Sequence, residues 1–100
     1  MLRSLLFVSG LVVASIASAA PPPRPAQLGL CSACHGERGH ASVAGIPHLA
    51  GQDETYLALA LRQYRKGERK ASAMRAVSGA LQDREIAAFA AWYAAQEATP

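Results

Sequence analysis

Both cysteines of this chain fall within five residues, CSACH at 31–35, and a histidine closes the group. On an α-helix the positions i, i+3 and i+4 share a face, so this spacing sets Cys31, Cys34 and His35 side by side. Paired thiols beside an imidazole serve three chemistries: a redox disulfide, part of a zinc site, or an attachment point for haem. A thioredoxin-like pair belongs in a βαβ setting, and no stretch here alternates like a strand. A disulfide across three residues closes a loop too small to stabilise the chain much. Zinc needs four ligands, and Cys31, Cys34 with one or two of His35, His40 and His48 could supply them. That arrangement leaves the histidine directly after the second cysteine unexplained. C-x-x-C-H is the attachment signature of c-type haem. Two thiols add to the vinyl groups along one haem edge, and the adjacent imidazole is carried over the porphyrin face.

The size of the chain points the same way. Its first twenty residues, MLRSLLFVSGLVVASIASAA, run from one positive charge through an apolar stretch to small residues. That is the order of a secretory signal, with cleavage expected after Ala19; an uncleaved N-terminal anchor is the competing reading. The apolar run is short and broken by Ser9 and Gly10, which argues against a membrane span. Removing residues 1–19 leaves 100 − 19 = 81 residues. A chain of that length buries little surface by itself and commonly depends on a disulfide, a metal or another staple. A large apolar cofactor supplies that mass, and covalent haem attachment generally takes place outside the cytoplasm.

The remainder reads as helix and loop. PPPRP at 21–25 is an extended lead-in, because proline cannot lie inside a helix. A short helix is expected over 26–34, then a glycine-rich connection over 36–51, long enough to need a job such as wrapping a cofactor. The clearest helix is 53–66, with acidic residues at its start, basic ones at its end and Gly67 as its stop. Tyr56, Leu57, Ala60, Leu61 and Tyr64 form its stripe. For 68–81 the expectation is a loop followed by one helical turn before Gly79. The last helix is expected over 83–96, packed through Ile86, Phe89, Ala90 and Tyr93. Its entry lacks the Ser or Thr that would complete a capping box with Glu85, Gln82 standing there instead. Its opposite face, Ala88, Ala91 and Ala95, is either plain helix propensity or an apolar contact. The fold class is all-α, a single small domain over 26–100.

A haem held by one histidine needs a sixth ligand, a void or water. Met74 is the one methionine beyond the leader, 39 residues after His35, in a polar and basic stretch where core filling is the weaker reading. His48 and His40 are rivals, though His40 is close enough in sequence to His35 to have difficulty reaching the far face. Between positions 62 and 75 stand six basic residues, Arg62, Arg65, Lys66, Arg69, Lys70 and Arg75, against Glu68 alone. They are either a solvated helix end or a docking surface for an acidic partner. Nucleic acid is not the expected partner, since only Tyr64 interleaves with that patch.

The order and spacing of CSACHG, IPHLAGQ at 46–52, YL at 56–57, GER at 67–69, Met74 and LQDREIAAFAAWYAAQ at 81–96 resemble the class I c-type cytochromes, particularly the small bacterial periplasmic monohaem kind. The resemblance implies a small helical domain wrapped around one haem c. It implies thioether bonds from Cys31 and Cys34, proximal ligation by His35 and distal ligation by Met74. It implies too that the Pro47 carbonyl accepts from His35 Nδ1. The implied role is a periplasmic electron carrier between redox protein donors and acceptors, without a substrate site and without a stable membrane anchor after cleavage. An electron-transfer subunit of a larger dehydrogenase or reductase is the alternative, and a haem enzyme or sensor with labile Met74 a further one. PPPRP occupies the place of another turn of the first helix in many relatives, so weaker packing of that helix on the last one is expected.

Overall fold

The structure is a computed structural model and describes residues 1–15 and 20–99; the expected cleavage point after Ala19 lies outside the described residues. Four helices follow the lead-in: α1 (Gly29–His35), α2 (Glu54–Lys66), α3 (Ser72–Ser78) and α4 (Asp83–Ala94). Among the described residues there is no strand, and no helix is long and apolar enough to cross a membrane.

Each helix has local causes at its ends. α1 starts at Gly29, later than the sequence suggests. Pro25 cannot continue a helix, so the chain first makes a tight turn in which Leu28 N–H donates to the Pro25 carbonyl at 3.1 Å. α2 opens on Asp53, whose carboxylate accepts from Tyr56 N–H at 2.8 Å. It stops at Gly67, in the left-handed region at φ 77°. α4 begins with Gln82 N–H donating to Glu85 Oε1 at 3.0 Å, the acidic half of a capping box despite the missing Ser or Thr. α3 corrects the sequence reading: in place of a loop and one turn, residues 72–78 form seven residues of helix, about two turns.

α2 packs against both α3 and α4. The core gathers Leu28 from the turn before α1, Leu57 from α2, Leu81, and Ile86, Phe89, Ala90 and Tyr93 from α4. The expected stripe of α4 is thus buried entire. In α2, Leu57 and Ala60 are buried and Leu61 and Tyr64 half-buried, while Tyr56 lies outside the core at 47% exposure. Arg65 ties α2 to the start of α4, with Nη1 donating to the Leu81 carbonyl at 3.1 Å and Nη2 2.7 Å from Asp83 Oδ1.

The proline-rich lead-in lies along α4. Pro22 and Pro25 are half-buried while Pro21, Pro23 and Arg24 are exposed, matching the three-residue repeat of an extended polyproline segment. Ala20 and Pro22 border one shallow groove with Ala91, Ala94 and Ala95. Pro25 borders another with Ala88 and Phe89. The lead-in and the alanine face thus border the same grooves.

Candidate haem-attachment site

α1 carries Cys31, Cys34 and His35, and all three precede the break at Gly36. Gly36 has φ 83°, and a Cβ there would lie 2.5 Å from the His40 carbonyl oxygen. Only glycine lets the chain turn out of the helix at this point. Cys31 is half-buried and Cys34 exposed, both as free thiols. Burial pushes the Cys31 thiol up to about 11. A redox pair needs a readily formed thiolate, so this environment opposes that use and suits a thioether.

His35 is buried at 7% exposure. Its Nδ1 stands 2.9 Å from the carbonyl oxygen of Pro47, twelve residues further on. A carbonyl only accepts, so Nδ1 holds the proton and the Nε2 lone pair is left free for a metal. Among the described residues no three or more His, Cys, Asp and Glu side chains are grouped to hold a metal ion, so the donor set for a tetrahedral zinc centre is missing. Two thiols beside one oriented imidazole are a donor set that fits covalent haem c.

His48 and His40 belong to the loop after α1. Ala41 N–H donates to His48 Nδ1 at 2.9 Å, and the His40 and His48 ring centroids are 6.2 Å apart. His40 is half-buried. Met74 lies in α3, half-buried, on a different element from His35, and no hydrogen bond joins the two.

Several residues that hold the site carry no mark in the sequence. Trp92 Nε1–H donates to the Glu37 carbonyl at 2.8 Å, and Tyr93 Oη–H donates to the Gly36 carbonyl at 3.1 Å. The last turn of α4 thus clamps the exit from the CSACH helix. Burial raises the Tyr93 phenol above its ordinary range, so the group remains a donor. Arg24 of the lead-in donates to Glu37 from Nε and again from Nη2, the second bond at 3.2 Å. That bond holds the Glu37 carboxyl below the usual range and Arg24 above its own. A buried tryptophan or tyrosine needs a partner for its polar tip, which was the available clue; the partner's identity was not.

No family model matches the chain. It is 40% identical over 74 residues to cytochrome c-554(548) of Halomonas halodenitrificans, covering 71% of this chain and 89% of that protein. It is 40% identical over 76 residues to the thiosulfate dehydrogenase electron acceptor of Thiomonas intermedia, covering 75% of this chain but 34% of that longer protein. Among solved structures it resembles reduced recombinant cytochrome c4 from Pseudomonas stutzeri, with TM-score 0.62 and 30% identity over 67% of this chain and 38% of that one. The chain therefore spans nearly all of one relative and little more than a third of the other two. The CSACH spacing, the all-helical fold and this likeness across most of the chain's length lead to one conclusion: the chain belongs to the c-type cytochromes, proteins of electron transfer that carry covalent haem c.

Proposed function

We propose that the chain is a periplasmic electron carrier with a single haem, exported by residues 1–19. In this reading the mature protein comprises the lead-in at 20–25 and one cytochrome domain over 26–100. The observation that carries it is the set of Cys31, Cys34 and His35 on α1, with His35 Nδ1 bonded to Pro47 and Nε2 free. When bound, haem c supplies a one-electron couple between ferrous and ferric iron. Cys31 and Cys34 would anchor it through thioether bonds, and His35 would ligate through Nε2. The Pro47 carbonyl fixes the ring plane and makes the imidazole more basic, as hydrogen-bonded partners of ligating histidines do. Met74 would supply the second protein ligand, and its thioether would favour the reduced state. With His35 and Met74 both holding the group, the site would have no place for substrate, and the protein would act as a carrier and not an enzyme.

The optical spectrum of periplasm-matured protein tests the ligand set. The oxidised form is expected to show the weak sulfur-to-iron band, and Met74→Leu to lose it while retaining haem. Absence of the band from the wild type overturns the assignment.

Docking of redox proteins falls to the basic region. Arg65 is committed to Leu81 and Asp83, and Arg69 lies 4.7 Å from the Tyr64 ring centroid. Arg62, Lys66, Lys70 and Arg75 remain exposed, and they offer an acidic partner a steering surface. Partner reduction rates should fall as ionic strength rises; a flat dependence removes this role. A second reading, the haem subunit of a larger dehydrogenase complex, draws support from the likeness to a dehydrogenase's electron acceptor. Native size-exclusion chromatography separates the two, since a free carrier elutes alone.

A further inference from the structure

The loop that presents Pro47 contains a clip that the haem site does not use. Its base is closed by the Gly39 carbonyl, which accepts from Leu49 N–H at 2.8 Å and Ala50 N–H at 3.2 Å. Nearer its tip, Ala41 N–H donates to His48 Nδ1 at 2.9 Å. A backbone amide only donates, so His48 Nδ1 is a lone pair and the neutral ring carries its proton on Nε2. His48 is exposed to solvent. The residue before it is Pro47, whose carbonyl holds His35.

We propose that His48 is a positioning residue for His35: with a neutral ring it closes the loop and seats the Pro47 carbonyl on His35 Nδ1, and with a protonated ring it releases that loop. The proposal rests on the reading of His35 as proximal ligand. A proton added at Nδ1 turns the acceptor into a donor and sets two N–H groups against each other. The Ala41 bond is then lost. His40 is the titratable group placed against the ring, at 6.2 Å between centroids, and charging both rings adds repulsion. Gln52 Nε2 donates to the His48 carbonyl at 2.9 Å, a neutral contact. Among the described residues no carboxylate or cation is bonded to either imidazole.

The sign of the effect follows. A seated Pro47 carbonyl makes the His35 imidazole electron-rich and favours the oxidised state. Release weakens that hydrogen bond and favours reduction, and the new positive charge acts in the same direction. The midpoint potential therefore rises when His48 takes up a proton. By linkage, reduction strengthens proton binding at His48.

The experiment uses holoprotein in three forms: wild type, His48→Asn and His40→Gln. Asparagine places an oxygen where Nδ1 stood, accepts from Ala41 N–H, and does not titrate. Redox titrations between roughly pH 5 and 8 are read beside the Ala41 amide resonance. In wild type the potential falls with rising pH and the Ala41 amide shift follows the same curve. In His48→Asn both are flat, while His40→Gln keeps both. A slope that survives in His48→Asn overturns the proposal. So does a potential that titrates while the Ala41 amide stays still, because charge alone would then account for it. Failure of the axial reading appears elsewhere, as a missing sulfur-to-iron band in the wild type at every pH.

Discussion

Ser78 closes α3 completely buried, and its hydroxyl finds no hydrogen-bond partner among the described residues. An unsatisfied buried donor costs roughly 1–3 kcal/mol, and alanine is also the better helix former. Ser78→Ala is therefore expected to stabilise the holoprotein by about 1 kcal/mol, seen as a higher denaturant midpoint with an unchanged slope. A lower midpoint would show that the hydroxyl has a partner after all. Other single residues were easier to understand from sequence. Cys31, Cys34 and His35 stand out because their relation is local, set by helix periodicity alone. Glycine was legible as loop, but not its reason. At Gly39, with φ 86°, a Cβ would come within 2.5 Å of Ala50 N and 2.9 Å of Tyr93 Cδ1. The Tyr93 part of that crowding comes from α4, more than fifty residues away, which no inspection of positions 36–51 could reveal.

Among the elements, α2 and α4 were readable because each carries its own evidence. α2 has Asp53 at its cap, Gly67 at its stop and an apolar stripe between. α4 buries Ile86, Phe89, Ala90 and Tyr93 at helical spacing. α3 was underestimated because SAMRAVS has no such stripe and no side-chain cap. Its helix depends on packing against α2, which a local pattern does not carry. α1 was misplaced at its start, since Pro25 produced a turn before the helix and not the helix itself. With PPPRP in place of another turn, α1 was expected to pack weakly on α4. α1 and α4 are indeed not among the well-packed helix pairs, while the lead-in borders the alanine face and Arg24 fastens it to Glu37. A proline segment has no backbone ladder to satisfy, so it can lie on a helix without leaving donors stranded.

At the scale of the whole molecule, the protein core is thin: Leu28, Leu57, Leu81, Ile86, Phe89, Ala90 and Tyr93 form its main cluster. Domains of this size rarely obtain more than about 3–5 kcal/mol from such a core, and a bound group that favours the folded state adds to it by mass action. A Cys31→Ala, Cys34→Ala chain produced without haem is expected to lose its cooperative thermal transition and most of its α-helical circular dichroism. A sharp melt near that of the holoprotein would refute the dependence. The sequence by itself determined the chemistry of attachment and the helical class, because thiol spacing, caps and apolar stripes are relations between near neighbours. Only the tertiary structure decided how the attachment segment is held. Trp92 and Tyr93 reach Glu37 and Gly36, His35 meets Pro47, and Ala41 meets His48. Each is a hydrogen bond between a side chain and a backbone group. Every residue offers the same backbone carbonyl and amide, so side-chain identity cannot name the partner, and only the path of the folded chain selects it.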